Sequence, residues 1–324
     1  MSKKSICLIF VFILFSGFIK KAIAQNITIN TSLNTGIVGI NAKEMLFDNN
    51  NHTTSFLDWN VKIAPCIFID SETGLSNRLF FRLNGFYTIP FSNGQMCDYD
   101  WMNYFSTGTS EQTHFSNHKN EADALYNFEF AVGTGGSITQ KIRLIQYFSV
   151  KYTYLSMTAK DGYRQYGTKT GEQNGNAVYT PWNSEIEKKQ LDGDIVTLQS
   201  QDVFLGFGTK IIFETAGPFK TELFFNILPG LYNDTLDTHY NRSEKYTYFD
   251  FGSKLEFDTN VLLEYKINNS NKVSAQIGFS ACTTSKAQVF QGSDIQNLIR
   301  VSNPGKFSAL IWNIMLGYSY RYEN

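Results

Sequence analysis

The segment Phe56-Leu57-Asp58-Trp59-Asn60-Val61-Lys62-Ile63-Ala64-Pro65-Cys66-Ile67-Phe68-Ile69 sets Leu57, Trp59, Val61, Ile63, Ile67 and Ile69 against Asp58, Asn60, Lys62, Ala64 and Cys66. Successive side chains of a strand point to opposite faces, so the pattern predicts one long strand with a greasy side and a polar side. The C-terminal stretch repeats it, with Leu310, Trp312, Ile314, Leu316, Tyr318, Tyr320 and Tyr322 against Ala309, Asn313, Gly317, Ser319 and Arg321. Soluble sandwiches also alternate. Strand length separates the two classes, because these runs far exceed the usual soluble strand of about 5–6 residues.

Working outward, comparable segments fall near 26–41, 56–69, 78–91, 122–134, 141–158, 195–213, 219–233, 246–267, 272–285 and 306–322. The connections between them alternate. Those at 42–55, 92–121, 159–194, 234–245 and 286–305 are long, whereas Asp70–Asn77, Gly135–Gln140, Glu214–Pro218 and Asn268–Asn271 are short. An even strand count with short turns at one end and long loops at the other is the pattern of an outer-membrane barrel. The expected fold is therefore all-β: a ten-stranded antiparallel transmembrane β-barrel with long extracellular loops and short periplasmic turns. No linker or composition break divides it, so residues 25–324 are expected to form one domain.

Residues 1–24 read as a secretory signal: Lys3 and Lys4, the apolar run Ile6–Ile19, then Ala22-Ile23-Ala24 before Gln25. The run is too short to span a bilayer as a helix, which needs about 20 residues. Without the signal and its four lysines, 24 basic residues face 29 acidic ones, which argues against nucleic acid as a partner. Cys66, Cys97 and Cys282 remain, an odd number with no CxxC spacing, so neither a metal site nor a disulfide framework is implied. They read as small apolar fillers.

All four histidines, His52, His114, His118 and His239, fall in or at the edges of the long connections, as do Glu44, Asp98, Asp100, Asp234 and Asp237. With the N-terminus inside, those connections all open outside, where residues distant in sequence can converge on one cleft. Asp98-Tyr99-Asp100 and Asp237-Thr238-His239 each place two functional groups at i and i+2, about 6–7 Å apart on one face of extended backbone. An aspartate can orient an imidazole that takes a proton from water, and paired carboxylates restrain each other's ionisation. Two other chemistries are weaker. His114-Phe115-Ser116 has a lipid-hydrolase spacing but stands in a polar loop instead of a lipid-facing wall, and Cys97 has no adjacent base to make it a nucleophile.

At Gly94-Gln95-Met96-Cys97-Asp98-Tyr99-Asp100-Trp101-Met102 the chain resembles the omptins, outer-membrane endopeptidases whose second loop carries Asp-x-Asp-Trp-Met after Gly-x-Met. Ser116-Asn117-His118, Asp237-Thr238-His239-Tyr240, Leu57-Asp58-Trp59, Lys43-Glu44, Ser156-x-Thr158-Ala159-Lys160 and Leu316-Gly317-Tyr318-Ser319-Tyr320 extend the resemblance over nearly the whole mature chain. It implies that His239 is the general base and Asp237 orients it. Asp98 and Asp100 would form the facing couple, with Asp98 helping to hold the attacking water. Glu44 would line the pocket for a basic residue before the scissile bond, giving polypeptides with basic residues as substrates.

Three departures qualify what the resemblance implies. Thr235 stands where the family has a second pocket acid, with Asp234 one step away; His114 stands where a loop-two acid contacts the residue after the cut. Both weaken the preference for basic substrates. The family depends on lipopolysaccharide held by an Arg and a Glu on strand five, where this chain has Tyr154 and Tyr152, so lipopolysaccharide dependence is expected to be altered or lost. No other cofactor is implied. Rival readings are a non-catalytic barrel acting in adhesion and a small pore, although ten strands enclose too little lumen for a wide channel.

Overall fold

A computed structural model describes residues 27–75, 79–242, 245–250, 254–284 and 286–323; the expected signal, residues 1–24, lies outside them. The strands are β1 (Ile27–Phe47), β2 (Thr53–Leu75), β3 (Leu79–Thr88), β4 (Phe91–Asp100), β5 (His114–Ser137), β6 (Ile142–Tyr166), β7 (Lys169–Gln173), β8 (Asn176–Tyr179), β9 (Lys189–Gln190), β10 (Asp194–Glu214), β11 (Phe219–His239), β12 (Tyr246–Asp250), β13 (Lys254–Lys266), β14 (Asn271–Thr284), β15 (Ala287–Gly292) and β16 (Ile299–Glu323). β3 continues into β4, β12 into β13 and β14 into β15, which makes ten long staves; β7 and β8 form a separate hairpin in the third outer connection. β1 pairs with β16 from Thr28↔Glu323 to Leu46↔Gly305, closing the ring. Closure leaves no edge with unpaired backbone, which a strand exposed to lipid could not tolerate.

The ten expected staves are present, but they run further outward than their hydrophobic pattern. β4 and the first part of β5 occupy much of the expected connection 92–121, and β11 continues to His239. The reason is physical: apolar alternation stops where the lipid stops, while backbone pairing continues above it. Outward-facing Phe207, Leu316, Phe225 and Ile277 are 72%, 66%, 49% and 49% exposed, as a lipid-facing belt requires.

Among the bulges of the described strands, one in β2 and one in β11 set the phase of the alternation that reaches the site. In β2, Val38↔Ala64 is followed by Ile40↔Val61, so Lys62 and Ile63 face the single residue Gly39. The segment at Phe56–Ile69 is therefore not one apolar face: Leu57, Trp59 and Val61 point inward, Ile63, Ile67 and Ile69 outward, and Ala64, Cys66 and Phe68 inward. In β11, Val203↔Tyr232 is followed by Phe204↔Gly230, leaving Leu231 unpaired. An extra residue in one strand turns every later side chain to the opposite face.

The interior has two tiers. Within the membrane span it is filled by ion pairs, including Arg82–Asp70 (2.8 Å), Lys210–Glu222 (2.8 Å), Lys151–Asp258 (2.9 Å) and Lys272–Glu264 (3.2 Å). Above them Trp59, Met96, Met157, Leu198, Phe249 and Phe307, each at most 2% exposed, pack into an apolar floor. The site stands on that floor.

Candidate active site

Asp98 and Asp100 lie on β4, two residues apart, and both face the interior of the mouth. Their cross-strand neighbours on β5 are Ser116 and His114, and on β2 Leu57 and Ser55. Across the mouth, Asp237 and His239 project inward from the end of β11, with His239 Nε2 2.6 Å from Asp237 Oδ2. The bulge at Leu231 aims them. Before it the even-numbered residues Glu222, Phe224 and Asn226 face inward, and after it the odd-numbered Asn233, Thr235, Asp237 and His239 do. The His239 backbone N–H donates to Lys245 O at 2.7 Å, which fixes the strand end where the chain turns.

Glu44 on β1 is 2% exposed, and among the described residues neither carboxylate oxygen has a hydrogen-bond partner. Burial, then the charge of Asp237, push its carboxyl well above the usual carboxylate range. It lines a small pocket with Leu57, Asp237, His239, Phe249 and Arg242. Burial and then the charge of Asp100 also raise the Asp98 carboxyl, and Arg242 opposes them. Arg242 was not among the residues expected from sequence. It sits three residues beyond His239 and reaches back across the mouth, where Nη2 donates to Asp98 Oδ2 at 3.3 Å and lies 4.0 Å from Asp100 Oδ2.

Other expected residues divide. Thr235 is fully buried beneath Asp237, 3.1 Å from the Ser200 hydroxyl, and accepts from Lys254 Nζ at 3.4 Å; that lysine also pairs with Asp202 at 2.7 Å. Where the resemblance implied a second pocket acid, this chain has a threonine above a buried lysine. Asp234 faces out of the barrel and accepts from the Tyr232 hydroxyl, so the structure does not bring it into the cleft. A one-residue offset puts it on the wrong face. His114 is inside, its ring 4.3 Å from Tyr166 and 4.7 Å from Tyr179, and burial lowers its pKa. His118 Nδ1 donates to Asp161 O at 2.5 Å, leaving Nε2 to accept from Ser116 Oγ at 2.8 Å. Cys97 alternates to the outer side, where its thiol accepts from Asn117 at 3.2 Å and is pushed up by burial. Tyr152 and Tyr154 also face outward, their rings 6.1 Å (tilted) and 5.0 Å (stacked) from that of Tyr126.

The Omptin family profile matches residues 23–322. The chain belongs to the Omptin family. With that membership it is an outer-membrane β-barrel of a protease family. In fold, this omptin is similar to the crystal structure of outer membrane protease OmpT from Escherichia coli, at 17% identity over 91% of this chain and 97% of that one, with a TM-score of 0.77. Outer membrane protein OprG from Pseudomonas aeruginosa aligns over 90% and 95% at 8% identity, but with a TM-score of only 0.38. A major outer membrane protein from Thermus thermophilus aligns over 91% and 99% at 11% identity with a TM-score of 0.31. No curated protein matches the chain significantly.

Proposed function

We propose that this omptin is an endopeptidase whose cleft opens on the cell exterior and which hydrolyses peptide bonds with an activated water. The carrying observation is the hydrogen-bonded Asp237–His239 pair facing the Asp98–Asp100 couple across one buried mouth. With Nε2 engaged by Asp237, Nδ1 of neutral His239 takes a proton from a water held between it and Asp98. That water adds to the scissile carbonyl, and the tetrahedral adduct collapses as His239 returns the proton to the leaving amine. Asp237 stabilises the imidazolium in between. No bond to the enzyme forms.

Glu44, buried with neither oxygen engaged among the described residues, receives the basic residue before the cut, where a charge-assisted bond in a partly dry pocket is stronger than at the surface. With Thr235 over Lys254 in place of a second acid, the preference is weaker than two carboxylates would make it. The outward Tyr126, Tyr152 and Tyr154 present rings to lipid and no charge to a phosphate, so activity needs no lipopolysaccharide. Residues 1–24 act as the export signal. The test is to incubate the refolded barrel, without lipopolysaccharide, with peptides bearing single Lys or Arg residues. Cleavage after them, lost in His239→Ala, is expected; inertness of the folded barrel toward every such peptide refutes the reading.

A further inference from the structure

The inner wall of the mouth carries a charge gradient that the water mechanism does not use. Strand register places Glu44, Leu57, Asp98, Ser116 and Arg164 in one cross-strand row, through the pairs Glu44↔Leu57, Leu57↔Asp98, Asp98↔Ser116 and Ser116↔Arg164. With neighbouring strands about 4.8 Å apart, Asp98 stands roughly 10 Å from Glu44 on one side and roughly 10 Å from Arg164 on the other. The row is acidic at one end and cationic at the other. The row above it runs Asp100↔His114↔Tyr166. Arg164 rests over the Tyr166 ring, 5.2 Å from its centroid.

Among the described residues no carboxylate lies within 4.0 Å of Arg164. Arg242 comes from the opposite wall, engages Asp98 and Asp100 through Nη2, and has a half-exposed side chain. Its remaining donors carry no hydrogen bond among the described residues. The His114 imidazole is held low first by burial and then by these same two guanidiniums, against the opposing pull of Asp100.

We propose that Arg164 and Arg242 form a second, cationic subsite that takes the carboxylate of an aspartate or glutamate just after the scissile bond. The proposal rests on the peptidase reading, which sets the bond at Asp98 and His239. An extended chain advances about 3.3–3.6 Å per residue. If the residue before the cut leans to Glu44, the first or second residue after it comes within side-chain reach of Arg164. Guanidinium forks match carboxylates in a bidentate way that lysine cannot. A basic side chain there would meet two like charges. The substrate class is therefore a basic–acidic junction and not a dibasic one.

The test uses the full-length His239→Ala barrel, which binds without turnover, and three dye-labelled peptides that differ only after a central lysine: Lys-Asp, Lys-Ala and Lys-Lys. Fluorescence anisotropy is expected to rank them in that order, with Lys-Asp about tenfold tighter than Lys-Lys, equivalent to ~1.4 kcal/mol. Arg164→Gln should collapse that ratio toward unity. Arg164→Lys, which keeps the charge but loses the fork, should give an intermediate ratio, and the shift of each variant on unboiled gels reports its folding. Equal affinities for Lys-Asp and Lys-Lys, a ratio unchanged in folded Arg164→Gln, or binding of no peptide would overturn the proposal. Cleavage by the parent protein is scored separately. Preference without cleavage refutes only the peptidase reading, and cleavage without preference refutes only the subsite.

Discussion

The membrane span and the mouth of this barrel differ in one buried carboxylate, Glu44. In the span every buried acid of the lumen has a cation: Asp70 has Arg82, Glu222 has Lys210 and Lys220, Glu256 and Asp258 share Lys151, and Glu264 has Lys272 and Lys220. Among the described residues of the mouth, Glu44 has no cation and both its oxygens are buried without a partner; Asp98 and Asp237, paired with Arg242 and His239, each keep one such oxygen, as Asp258 does in the span. A buried polar group left unpaired costs about 1–3 kcal/mol, more when charged, so such groups persist where something other than stability holds them. The span is closed on itself. The mouth is left open to a ligand's donors.

Changing the mouth should remove activity and spare the fold. His239→Ala is expected to lower kcat by ~10³-fold or more, with an unchanged shift on unboiled gels. If His239 and Asp98 act on one water, the double variant His239→Ala/Asp98→Ala will be scarcely slower than the worse single one. Losses that multiply in single-turnover kinetics would break the shared-water mechanism.

The reverse experiment targets the span. Lys210→Met leaves Glu222 with Lys220 and Glu72 without its short contact, and removing one partner of a buried pair typically costs ~3–5 kcal/mol. A fall in the denaturant midpoint with an unchanged kcat in the folded fraction is expected. A stable but inactive variant would show that the two tiers are coupled.

Glu44→Gln should act on both counts. Selectivity for Lys over Ala before the cut is expected to fall by about tenfold, measured as a ratio of kcat/KM. Stability should move the other way. An acid whose folded pKa is raised binds its proton more tightly in the folded state, so its burial penalty grows as pH climbs through the unfolded value near ~4.3 toward the folded one. Glu44→Gln lacks that penalty, so its thermal midpoint should exceed the parent's at pH 7.5 and match it near pH 4. The same midpoint difference at both pH values would mean that burial does not raise the Glu44 carboxyl.

The smallest effect is expected from Ser116→Ala. Ser116 donates to His118, which is itself tied to the Asp161 carbonyl, so the pair buttresses the wall beside Asp98 and attacks nothing. A loss of activity under about tenfold, with no labelling by a serine-directed phosphonate, is expected. Stoichiometric labelling would replace the water mechanism by a covalent one.

Much of this was legible in the chain itself. Ten segments with apolar alternation set the number of staves, because lipid demands an apolar side chain at every second position. The spacing of Asp98 with Asp100 and of Asp237 with His239 foretold that each pair shares a face, because that follows from strand period alone. Tertiary structure decided the rest. The bulges at Lys62–Ile63 and Leu231 choose which alternate set faces inward, sending Thr235 into the interior and Asp234 to the outside, and a bulge is a property of two strands in register. Glu44, Asp98 and Arg164 share a row only because β1, β2, β4, β5 and β6 are neighbours. Arg242 shows no pattern in sequence at all, since its role comes from meeting Asp98 from the far side of a closed ring.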